Sequence, residues 1–130
     1  MSEPVLVALL FADRVITEDN NKKAVIGIFN RVQSQSFPAG FPPWFIFASV
    51  TNLSGAHSFS LNLVHDETTS VVVPISGKLT AAKESDVVEL SFCISKAIFP
   101  DAGSYTLTFN VDGMQVGSRI LEASRAETSQ

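Results

Sequence analysis

Two histidines, one cysteine and a scatter of carboxylates are the side chains in this chain that could do proton-transfer, metal or nucleophilic chemistry. His57 and His65 stand eight positions apart on a segment that alternates like a strand. Strand rise then separates them by about 25 Å, too far for one metal ion to bridge. Cys93 has Glu89, Ser91 and Ser95 at its own parity, and nothing nearby supplies the base or lowered pKa that a thiolate nucleophile needs. Asp66, Glu67, Glu84, Asp86, Asp101 and Asp112 all fall at or beside turns. Calcium needs six or more converging oxygens, and no Asp-x-Asp run is present. These acids read as turn residues and solubilising charge. The expectation is a protein that is not an enzyme, with no metal and no cofactor.

Two other groups could bind rather than react. Asp13-Arg14 and Asn30-Arg31 close the first two apolar segments. If those segments pair as a hairpin, Asp13, Arg14 and Arg31 could form an anion-gripping patch, since guanidinium matches carboxylate and phosphate geometry. The structural alternative is a charge pair that closes one end of the fold. The stretch Phe37-Pro38-Ala39-Gly40-Phe41-Pro42-Pro43-Trp44-Phe45 joins stiff prolines to aromatic anchors. Phe37, Phe41, Trp44 and Phe45 are therefore candidates for a protein contact or for stacking on a sugar. Alternatively, the loop caps the core and blocks an edge.

The elements that must position these residues read as eight strands, at residues 5–15, 24–34, 44–53, 57–66, 71–80, 87–95, 105–111 and 114–121. Tyr105, Leu107, Phe109 and Val111 alternate with Thr106, Thr108 and Asn110, and Asp112-Gly113 fits a type I′ hairpin turn. Pro74 demotes its strand to an edge. A tyrosine just after a turn, opening the penultimate strand, is typical of immunoglobulin-like sandwiches. The expected fold is all-β, an immunoglobulin-like antiparallel sandwich of about eight strands. A single domain would span residues 1–123, followed by a flexible tail at 124–130.

With 130 residues, 45% hydrophobic and 17% charged, the chain can build one packed core. A net charge of −4 and nine scattered Lys and Arg leave no basic stripe for nucleic acid. The acidic Met-Ser-Glu-Pro start does not resemble a signal peptide, and no apolar run is long enough to span a membrane. One cysteine allows no internal disulfide. A cytoplasmic location is expected.

Three segments carry a resemblance: Ala8-Leu9-Leu10-Phe11-Ala12-Asp13, then Gly27-Ile28-Phe29, then Phe37-Pro38-Ala39 with Pro42-Pro43. Together with the Gly103–Tyr105 and Asp112-Gly113 elements, they resemble a family of small uncharacterised prokaryotic proteins. Its members open with an Ala-Leu-Leu strand ending in Asp and continue with a Gly-Ile-Phe strand. Phe11 stands where a cysteine is common in that family, and the tail is shorter. The resemblance implies a β-sandwich and no transferable activity. The leading expectation is a non-catalytic interaction or assembly module that binds a protein partner or itself. The second is a carbohydrate-like small-ligand binder using the Phe37, Phe41, Trp44 and Phe45 aromatics.

Overall fold

The computed structural model describes residues 3–126, and they form β-structure throughout. Eleven strands appear in the order β1 (Val5–Thr17), β2 (Lys23–Phe29), β3 (Arg31–Ser34), β4 (Ala39–Gly40), β5 (Trp44–Thr51), β6 (Gly55–His65), β7 (Val71–Ala81), β8 (Val87–Ile94), β9 (Ile98–Phe99), β10 (Gly103–Val111) and β11 (Met114–Arg125). One sheet has the order β2-β1-β5-β8 and a second has β3-β11-β10-β6-β7, while β4 and β9 form a two-residue ladder. Among the described residues no helix is long and apolar enough to cross a membrane.

The count of eight therefore becomes eleven, for identifiable reasons. The segment expected as one strand over 24–34 is two, because the chain leaves one sheet at Asn30 and enters the other. Asn30 interrupts the apolar row of Ile26, Ile28 and Val32, but one polar residue does not distinguish a sheet switch from a continuing strand. Arg119 holds the crossover by donating from Nε and Nη2 to Asn30 Oδ1, at 3.1 and 2.7 Å. The Glu122 amide donates to the Asn30 carbonyl at 3.0 Å. Nor is the pairing wholly antiparallel, since β3 runs parallel to β11, Arg31 to Ser34 facing Glu122 to Arg125. That ladder also corrects the tail. Ser124 and Arg125 belong to β11 because β3 pairs with them, and residues 127–130 lie outside the described residues.

Period-two alternation sorts the side chains. The inward rows Leu9 and Phe11, Trp44 to Val50, Phe59 to Leu63 and Tyr105 to Val111 fuse into one core that draws on both large sheets. Burial of this apolar area is the main force holding the two sheets together. Pro74 lies in the edge strand β7, as its missing donor requires.

Tyr105 opens β10 fully buried, and its hydroxyl donates to the Asp101 carbonyl at 2.5 Å. Burial raises its phenol pKa. Its ring meets Phe99 at 4.9 Å and His65 at 4.7 Å, both edge-on. Asp112 and Gly113 have φ of 51° and 81°, the left-handed pair that a two-residue I′ turn needs. Replacing Tyr105 by Phe keeps the ring contacts and orphans the Asp101 carbonyl. This substitution should cost about 1 kcal/mol, seen as a lower denaturant midpoint with an unchanged m-value.

Candidate functional site

The end of the molecule where β1, β2 and the Phe41–Trp44 loop meet holds a cavity of about 270 Å³. Asp13, Phe29, Arg31, Val32, Phe41, Pro42, Pro43 and Trp44 line it. The β1–β2 hairpin supplies Asp13 and Phe29, and the crossover at Asn30 delivers Arg31 and Val32 beside them. Asp13 lies over Gly27, whose φ of 73° and missing Cβ leave room for the carboxylate. The polar wall is thus one carboxylate and one guanidinium. Neither forms an ion pair or hydrogen bond with another described residue.

Trp44 is only 5% exposed and is held by rings of Phe11, Phe29 and Phe99 at 6.1 to 6.3 Å. It forms the cavity floor rather than an open stacking platform. Phe41 is half-buried, with its ring 5.3 Å from Phe99. Four of the seven residues expected at a site therefore converge: Asp13, Arg31, Phe41 and Trp44.

The other three point elsewhere. Arg14 alternates to the opposite face of β1, opposite Ile26, and is exposed. Phe45 likewise faces away from Trp44, between Ala12 and Cys93 on neighbouring strands. Phe37 packs against the core, and the Arg125 guanidinium lies 5.6 Å above its ring. Phe29 and Val32 are additions to the site. The β1–β2 hairpin register places Phe29 beside Phe11, but only the hidden sheet switch brings Val32 there.

A second cavity of about 420 Å³ lies at the opposite end, lined by Glu3, Pro4, Leu53, His57, Val111, Asp112, Met114, Gln115 and Val116. Here His57 Nδ1 meets Asp112 Oδ2 at 2.6 Å and Nε2 meets the Ser54 carbonyl at 2.8 Å. Both partners are acceptors, so both contacts are satisfied only by the imidazolium. The hydrogen bond to Asp112, then the Ser54 carbonyl, raises the His57 pKa above its ordinary value. His57 in turn lowers that of Asp112, helped by the Ser58 amide.

His65 is the opposite case. It is buried, with Nδ1 accepting the Thr68 amide at 3.2 Å and Nε2 meeting the Ala102 carbonyl at 3.1 Å. The His65 Nδ1 also meets the Thr68 hydroxyl at 2.8 Å, and that hydroxyl in turn donates to Ser70 Oγ at 3.0 Å. Cys93 is exposed on the outward face of β8. Among the described residues no three His, Cys, Asp or Glu side chains gather as a metal site.

A family model described as a family of unknown function, DUF6941, matches residues 7–123. The chain belongs to DUF6941. No curated protein matches it significantly. Two solved structures resemble it at 10% identity and a TM-score of 0.51. One is the Pseudomonas fluorescens alkylpurine DNA glycosylase AlkC bound to DNA containing an abasic site analog. The other is a beta-glucosidase from Listeria innocua. Each match covers 95% of this DUF6941 chain, which spans only 31% and 16% of those two proteins. At that identity the likeness concerns the fold alone.

The His57–Asp112 bridge gives a pH dependence of defined sign. The raised His57 pKa means its stabilisation is complete below about pH 6.5 and is lost as pH rises through the folded value. The lowered Asp112 pKa contributes above its ordinary range and is lost as pH falls through the folded value. Stability of this DUF6941 domain should therefore decline from pH 6 to 8. Denaturant midpoints across that range should show a flatter profile for Asp112→Asn.

Proposed function

We propose that this chain is an immunoglobulin-like sandwich acting as a cytoplasmic, non-catalytic interaction or assembly module. The observation that carries this reading is a contrast between two outward sheet faces. On the four-stranded sheet, Leu10 lies opposite Phe47, and Ala12 sits between Phe45 and Ile28. None of these belongs to the core cluster, and Ile28 is 54% exposed. On the five-stranded sheet the central rows are Ser60, Asn62, Thr106, Thr108 and Asn110, with Val64 and a 56% exposed Ile120 beside Thr106. Ala12 and Phe47 are themselves buried, at 0% and 6% exposure. The accessible part of this outer row therefore centres on Ile28, and a longer apolar row than on the other sheet supports a contact surface there. The tyrosine hydroxyl bonded back to Asp101 supports the immunoglobulin-like assignment. The Thr68 hydroxyl beside buried His65 donates to Ser70 Oγ, and His57 meets Asp112 and the Ser54 carbonyl, partners that suit loop-holding and support the non-catalytic reading.

A photo-reactive amino acid at position 28 should capture a defined protein species in cells. The same residue at position 108, on the polar face, should capture none. A folded, expressed protein that gives no adduct from position 28 and does not self-associate would sink the reading.

The 270 Å³ cavity favours a second reading, a small-ligand site for a carbohydrate-like molecule. Its unpaired Asp13 and Arg31 can share hydrogen bonds with neighbouring hydroxyls, while Phe41 and the Trp44 floor offer apolar surface. Trp44 is the one tryptophan, so its emission should shift on titration with neutral sugars, and Arg31→Ala should abolish the shift. No change at millimolar sugar removes this alternative.

A further inference from the structure

The edges of the two large sheets are not protected equally. β7 carries Pro74, an exposed Lys78 and a register break near Val72, all of which deter strand addition. β3 has four residues. β2 is interrupted by Gly27 at φ 73°. Lys23 opens β2 and Arg31 follows it, so an antiparallel copy would bring like charges together. The free stretches at the start of β1 and β11 are broken by register shifts at Val7 and Val116. There the Leu6 side chain packs against Gly117.

β8 has none of these devices. It pairs with β5 in unbroken register from Val87 to Ile94 and with no other strand on its far side. Its inward row Val88, Leu90 and Phe92 packs against the core yet remains half-exposed. Asp86 precedes it and Lys96 follows it, so the two ends carry opposite charge.

We propose that β8 is a dimerisation edge, on which a second copy of this chain adds its own β8 antiparallel about a two-fold axis at Ser91. Opposite ends of opposite charge are self-complementary under that axis, since the Asp86 end of one strand meets the Lys96 end of the other. The register sets Leu90 against Phe92 of the copy and Val88 against Ile94, covering the half-exposed inward row. Glu89, the only charge within the strand, falls against Cys93 and meets no like charge. The result is one eight-stranded sheet with the order β2-β1-β5-β8-β8-β5-β1-β2. The inference rests on the interaction-module reading and names its partner.

Cysteine placement reads the register directly. In a Cys93→Ser background, Ser91→Cys puts two thiols opposite each other, with Cα atoms about 4.5–5.5 Å apart, inside disulfide range. Glu89→Cys in the same background leaves them about 13 Å apart. Mild oxidation should yield a covalent dimer from the first variant and none from the second. Sedimentation of the wild type at about 100 μM should show the dimer. Ser91→Lys sets two ammonium groups face to face on an exposed position, and should weaken association about tenfold or more, with a melting temperature unchanged at dilutions where the wild type is monomeric. A monomeric wild type, or cross-linking that does not favour position 91, overturns the proposal. A monomer that still gives adducts with another protein from position 28 overturns only the dimer, and failure of both experiments overturns the module reading as well.

Discussion

Phe99 has no solvent exposure and touches three rings, those of Phe41, Trp44 and Tyr105. Through Trp44 the contact extends to Phe11 and Phe29, and through Tyr105 to His65. Edge-on and tilted ring pairs add to simple burial. This cluster joins the proline-rich loop, both large sheets and the turn before β10. Its position depends on a ladder of two residues, Ala39 with Phe99 and Gly40 with Ile98. A short element thus sets the end of the molecule where the smaller cavity opens.

Much of the architecture was legible because period-two alternation is a local signal. The β10 row, its I′ turn and the edge position of Pro74 follow from residues within a few positions of one another. The sheet switch at Asn30 was not legible. Its cause is a set of contacts from Arg119 and Glu122, far away in the chain, while locally only the polar Asn30 interrupts the row of Ile26, Ile28 and Val32. The same limit governs the site. Asp13, Arg31, Phe41 and Trp44 converge as residue type suggested, but the opposed faces of β1 and β5 separate Arg14 and Phe45 from them. The His57–Asp112 contact had no local signature, since it joins the start of β6 to the tip of a distant hairpin.

The two histidines show how hydrogen-bond partners, rather than residue type, decide chemical character. His57 faces two acceptors, which favour its charged form. His65 receives the Thr68 amide proton and packs edge-on against Tyr105. Both are committed to holding loops: His57 ties the hairpin tip to the β5–β6 connection, and His65 ties the turn after β6 to the one before β10.

The parallel ladder between β3 and β11 has a consequence for how the chain is made. β11 lies inside its sheet, between β3 and β10, yet it is the last of the eleven strands to be synthesised. Until Arg125 emerges, β10 presents an open edge with apolar neighbours, and Asn30 lacks the partners that hold the crossover. The five-stranded sheet therefore closes late, after nearly every other pairing partner exists. Long-range pairing of this kind slows folding and lengthens the time an unpaired edge is exposed. For a nascent chain, the act that closes this sheet is the insertion of β11.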